Sequence, residues 1–196
     1  MTILSYQPFR EVYSPWHLRQ ILVNRNLDLS TWFKPVERLY RDLNTRQIEL
    51  VLLKKQLLLR VESVRVVVYS PDKKLVLEDD YQIRKSDGEK RSKTILRRSV
   101  SEKMYLDYRE TPEQAAYRAI AEELYGNQSV EEIRSLYTLQ KTSVDVLIGP
   151  DKDYTGLNFL TTDHVFETVM PESSFDPRGY TEVQPEKTIY FNWFPI

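Results

Sequence analysis

The chain has 196 residues with 28 Lys and Arg against 29 Asp and Glu, so it is close to neutral and has no overall charge bias toward nucleic acid or membrane surfaces. Hydrophobic residues make up 41% and charged residues 29%, a globular rather than a disordered composition. Cysteine is absent, which excludes disulfides and thiolate chemistry, and two histidines leave little room for a His-based zinc site.

The first fifteen residues carry Arg10 and Glu11 and lack the apolar core of a signal peptide. The most apolar region, 48–61, is interrupted by Lys54, Lys55 and Arg60, far short of the ~18–20 residues that span a bilayer. A cytoplasmic compartment, or an organelle stroma or matrix, is the expectation, with no membrane contact.

The chain divides near residues 62–64. Before that it reads as helical. Ser14 and Pro15 suit an N-cap followed by the first helical position of a short helix ending near Leu22, and Asp28 or Ser30 opens a second. From Val36, the apolar residues Val36, Leu39, Tyr40, Leu43, Leu50, Leu53 and Leu57 recur mostly at steps of three and four, with a weak point at Asn44-Thr45. This stripe is expected to pack on the domain that follows. Beyond the division, Val64, Val66 and Val68 begin a strand, Ser70-Pro71-Asp72-Lys73 forms a turn, and 74–77 returns, giving a hairpin over 64–78. A turn at 86–89 precedes a short strand at 94–98.

The clearest helix is 111–126. Thr111 is the N-cap, Pro112 takes the first position, Gln114 completes a capping box, and Gly126 is placed to end the helix in the left-handed conformation. Strands are expected at 133–140, 157–162, 168–170 and 188–194, separated by turn-forming residues at 149–151, 171–173 and 176–179. Strands around a central helix indicate an α/β or α+β domain.

The segment that carries chemistry runs from Glu110 through Arg118, Ala119, Ile120, Glu122 and Glu123 to Gly126. With the loop before it (104–126 in all), it resembles the Nudix box, G-x5-E-x7-R-E-U-x-E-E-x-G-U with U aliphatic. Glu110 falls on the first Glu, Arg118 on the Arg, Ile120 on the aliphatic position, and Glu122 and Glu123 on the final pair. The resemblance implies an α/β fold, an α-β-α sandwich around a small mixed sheet over residues 63–196, preceded by an N-terminal helical extension, 1–62. It also implies Mg²⁺-dependent cleavage of a nucleoside diphosphate linked to another group. Three positions depart from the pattern: Met104 stands for the entrance Gly, Ala119 for the Glu after Arg118, and Tyr125 for the later Gly.

On a helix, positions i and i+4 share a face, so residue 119 lies one turn before Glu123. Mg²⁺ prefers carboxylate oxygens, and a methyl group neither ligates it nor accepts a proton. Replacing the expected Glu with Ala119 therefore implies a loss of hydrolysis of about 10²–10⁴-fold if that group acts in acid–base catalysis. Glu102, Asp107 and Glu113 are the carboxylates placed to substitute. Glu122 and Glu123 are the ligands if Mg²⁺ is bound, with no cofactor expected otherwise, and Glu110, Arg118 and Ile120 brace the loop and helix.

The reading that follows is a Nudix-like protein with a degenerate site, a pseudoenzyme acting by binding: a protein partner first, and the phosphate of a nucleotide or RNA second. The alternative is an active Mg²⁺-dependent hydrolase. A third reading, RNA or nucleotide binding, rests on 84–98, where Arg84, Lys85, Lys90, Arg91, Lys93, Arg97 and Arg98 face only Asp87 and Glu89. From Pro150 onward the balance turns acidic. His17 and His164 are expected to be ordinary surface or hydrogen-bonded side chains. The aromatic run Tyr190-Phe191-Asn192-Trp193-Phe194 suits either a core strand or a contact surface.

Overall fold

The computed structural model describes residues 7–8, 12, 14–92, 99–106, 110–126 and 128–196. In chain order the elements are β1 (Gln7–Pro8), α1 (Pro15–Val23), α2 (Val36–Asn44), β2 (Glu49–Leu53), β3 (Gln56–Tyr69), β4 (Leu75–Arg84), β5 (Lys90–Ser92), β6 (Val100–Lys103), α3 (Pro112–Tyr125), α4 (Val130–Leu136), β7 (Gln140–Pro150), β8 (Asn158–Val169), β9 (Tyr180–Val183) and β10 (Lys187–Pro195). The architecture is mixed α/β, with four α-helices and ten strands among the described residues. None of these helices is long and apolar enough to cross a membrane.

The chain forms two compact units, each assembled from separate stretches. The first comprises 1–62, 103–110 and 145–163, and the second 63–102, 111–144 and 164–196.

In the first unit, α1 starts where the sequence places it: Ser14 Oγ accepts from the His17 N–H at 3.1 Å. Asp28 caps only a 3-10 turn, Leu29–Thr31, rather than a second α-helix. The apolar stripe departs from the helical expectation. Helix α2 stops at Asn44, and Arg46 takes a positive φ of 56°. Residues 49–60 are then an antiparallel hairpin, with Glu49 opposite Arg60 and Leu53 opposite Gln56. Its two-residue turn is Lys54-Lys55, with φ of 49° and 71°, the double left-handed turn that matches strand twist. Leu50 and Leu57 therefore face the core from strands. They cluster with Leu18, Leu22, Val36, Leu39, Tyr154 and Leu157, so the stripe helps to build this unit's own core. Leu53 packs with Val51, Leu58 and Leu160.

In the second unit, β3 pairs with β4, β4 with β10 and β5, and β10 with β9, all antiparallel. Val64, Val66 and Val68 are fully buried on alternate positions. The 64–78 hairpin is present, although both strands run further than expected. Helix α3 has the full capping box at Thr111 and Gln114, and it ends at Gly126 with φ of 60°. The expected strand at 133–140 is instead α4 over its first half, because Ser129 and Glu132 form a second capping box just ahead of Ile133, and only Gln140 is in a strand, at the start of β7. The strand expected at 168–170 is the end of the long β8, while β1, β5, β6, β9 and all of β7 beyond Gln140 carried no strand expectation. The C-terminal aromatics belong to β10. Phe191 is buried, Trp193 Nε1–H donates to the Asp176 carbonyl at 2.8 Å, and Tyr190 stacks on Tyr81. The strand expected at 94–98 lies outside the described residues.

Candidate functional site

Glu123 projects from the last turn of α3 and is only 7% exposed. One carboxylate oxygen accepts the backbone N–H of Ser101, at the start of β6, at 3.0 Å. It lines a small cavity of ≈160 Å³ together with Asp79, Glu102, Glu182, Gln184 and Lys187. Burial, then the nearby carboxylates of Glu182, Glu102 and Asp79, hold the Glu123 carboxyl well above the usual range. The Glu182 carboxyl is also raised, first by its own burial. Gln184 donates to one Glu182 oxygen at 2.7 Å, while the other, Oε2, is buried without a hydrogen-bond partner among the described residues.

Asp79 reaches this cavity through a break in the β4–β10 ladder. Tyr81 pairs with Tyr190, but Phe191 pairs with Asp79, so Asp80 is skipped. The extra residue reverses the alternation and puts Asp79 on the same face as Ile189 and Phe191. Asp80 instead accepts from Asn192 Nδ2 at 2.9 Å. Neither Asp79 nor Glu182 was identifiable as a site residue from the sequence. The only hint is the acidic run Glu78-Asp79-Asp80, which interrupts an otherwise alternating strand.

The other box residues take separate places. Glu122 lies 3.3 Å from the Arg118 guanidinium, one turn back on α3, and is not part of the cavity wall. Ala119 and Ile120 are fully buried in the second unit. In the first unit, Glu110 accepts the Tyr105 N–H at 3.1 Å, and the buried Met104 donates its N–H to the Glu62 carbonyl at 2.8 Å. Of the three possible substitutes for the missing Glu, Glu102 lines the cavity, Glu113 is exposed on the first turn of α3, and Asp107 lies outside the described residues.

The basic segment divides similarly. Arg84, Lys85 and Arg91 line a second cavity of ≈660 Å³, with Gln82, Glu89, Glu186 and Lys187. Lys90 instead sits 3.7 Å above the Tyr81 ring. Lys93, Arg97 and Arg98 lie outside the described residues. Lys187, which lines both cavities, was not singled out in the sequence. His17 contributes its backbone N–H to the α1 cap, and His164 Nδ1 lies 3.3 Å from the Lys141 ammonium.

The chain is similar to Nudix hydrolases. One solved structure it matches is the dihydroneopterin triphosphate pyrophosphohydrolase of E. coli, with 22% identity over 68% of this chain and 80% of that one, at a TM-score of 0.44. Another is a NUDIX-family hydrolase from Clostridium perfringens, with 15% identity, the same coverage and a TM-score of 0.38. A third, the Nudix hydrolase RenU of M. smegmatis, shares 16% identity over 67% of this chain and 69% of that one, at a TM-score of 0.28. No protein-family model matches the chain, and no curated protein matches it.

Proposed function

We propose that this chain is a Nudix-type domain in which metal-centred hydrolysis is lost or strongly impaired, and that it works by binding. One observation carries the reading. The helix face that in a complete box offers three carboxylates offers one here: Ala119 has none, Glu122 pairs with Arg118 outside the cavity wall, and only Glu123 lines the cavity. A protein partner is the leading occupant. In support, β7 pairs with β8 alone among the described residues and exposes Val146, Leu147 and Ile148 in succession. An open strand edge of that kind is a surface on which a partner's strand adds.

A test is Mg²⁺-dependent phosphate release from a panel of nucleoside diphosphate derivatives. The wild type should show none above background. Ala119→Glu should gain turnover if the missing carboxylate is the principal defect, with a thermal melt confirming that the variant folds around its buried position. Turnover by the wild type, abolished in Glu123→Gln, would refute the reading.

One feature favours the alternative, a Mg²⁺-dependent hydrolase. The donor set suits that ion: Glu123, Glu102, Asp79 and Glu182 line one cavity, and Glu182 Oε2 is buried without a hydrogen-bond partner among the described residues. Mg²⁺ bound there would stabilise charge on phosphate oxygens. As placed, however, no three Asp, Glu or His side chains among the described residues stand close enough together to hold a metal ion. Glu102 and Glu182 would then be the relocated acids, and the same assay separates the two readings.

A further inference from the structure

The four strands β5, β4, β10 and β9 of the second unit present two unlike faces. Strand side chains alternate with period two, so along β10 Ile189 and Phe191 point to one side and Thr188, Tyr190, Asn192 and Phe194 to the other. The first side is sealed. Leu77, Asp79, Ile189 and Phe191 are buried there, and Glu123 of α3 meets the last three at the small cavity. The second side is open: Tyr81, Ile83, Tyr190 and Phe194 are only half-buried, and Val183 is 70% exposed.

The pairing registers order the open face into rows that cross the strands. Lys90, Ile83, Thr188 and Val183 form one row, and Ser92, Tyr81, Tyr190 and Thr181 form the next. Past the skipped Asp80, Glu78 is opposite Asn192 and Val76 is opposite Phe194. The tyrosine row carries a stacked pair, with the ring centroids of Tyr81 and Tyr190 4.4 Å apart. To one side of it the Lys90 ammonium lies 3.7 Å from the Tyr81 ring. To the other side stand the carboxylates of Glu78 and Asp80, the latter accepting from Asn192 Nδ2 at 2.9 Å. The face is aromatic in the middle, positive at one end and negative at the other.

That polarity is complementary to itself. A two-fold axis lying between two such faces, over the tyrosine row and perpendicular to the strands, reverses the strand direction. It brings Lys90 of each copy over Glu78 of the other and sets the tyrosine rows against each other. An axis parallel to the strands would instead set like charges together. We propose that two copies of the chain pair face to face through this surface, with Tyr81 and Tyr190 at the centre and reciprocal Lys90–Glu78 contacts on either side. Rows about 6.8 Å apart on strands about 4.8 Å apart give a face of about 15 × 20 Å between its outer side chains. That is the small end of specific interfaces, so pairing depends on concentration. The inference goes beyond the binding reading above and uses neither the β7 edge nor the carboxylate cavity.

The test is analytical ultracentrifugation of the full chain from about 1 to 200 μM. The average mass should rise from one chain toward two, and less so at high salt. Lys90→Glu and Glu78→Lys each set like charges against each other and should weaken pairing by about tenfold or more. An equimolar mixture of the two variants restores opposite charges at both contacts and should recover it, which also shows that both variants fold. A mixture that pairs no better than its components overturns the proposal. One chain per particle at every concentration also overturns it and leaves the face to a different protein. So does pairing that both variants leave unchanged, and if Ile148→Lys abolishes it instead, the contact lies on the β7 edge. Because none of these variants touches the carboxylate cavity, failure here leaves the reading on hydrolysis standing, and the reverse.

Discussion

Glu123 is the residue whose chemistry is most constrained. Its carboxyl is sealed in the second unit, beside Glu182, Glu102 and Asp79, and these surroundings penalise its charged form. A carboxyl whose pKa is raised by folding favours the folded state fully below the unfolded value, near 4.3, and that contribution is lost as pH rises through the folded value. Glu123→Gln removes the charge and keeps an oxygen for the Ser101 N–H. It should raise the melting temperature near neutral pH by about 2–4 °C and flatten the decline in stability as pH rises above the ordinary carboxyl range. A melt series against pH checks this. An unchanged profile would mean that Glu123 titrates normally. Sequence reasoning reached Glu123 because its spacing from Glu110 and Arg118 is local. Asp79, Glu182 and Lys187 stayed out of view because strand pairing and a skipped residue, rather than spacing along the chain, bring them to the same cavity.

At the scale of elements, the parts legible in the sequence were those with terminal chemistry of their own. Ser14 and Thr111 cap the helices they were expected to start, and Gly126 stops α3 in the left-handed conformation. The region 49–60 misled because Leu50, Leu53 and Leu57 satisfy a helical step as readily as a strand pattern, and Lys54-Lys55 lacks the Asn or Gly that usually marks such a turn. Ile133 misled in the opposite way: its apolar neighbours suggested a strand, while the capping box at Ser129 and Glu132 fixed a helix. The hairpin also gives a test. Lysine at two positive-φ positions is strained, so Lys54→Asn/Lys55→Gly should stabilise the chain by about 1 kcal/mol, read as a higher denaturation midpoint at unchanged slope. A loss of stability would contradict the turn geometry.

At the scale of the whole molecule, neither unit is a continuous length of chain. The first unit's core takes Leu18, Leu22, Leu39, Leu50 and Leu57 from the first 62 residues, and Tyr154 and Leu157 from much later. A fragment of residues 63–196 would leave Tyr154 and Leu157 without the side chains that cover them. It should bind a hydrophobic dye and melt less cooperatively than the full chain, whereas a sharp melt without dye binding would count against this assignment of the core. The interleaving also bears on how the protein is made. As the ribosome extends the chain, Leu39 and Leu57 emerge about a hundred residues before the tyrosine and leucine that close over them, an interval of roughly 5–20 s at ordinary rates of synthesis. During that interval the nascent segment is a natural client for a chaperone that shelters apolar side chains.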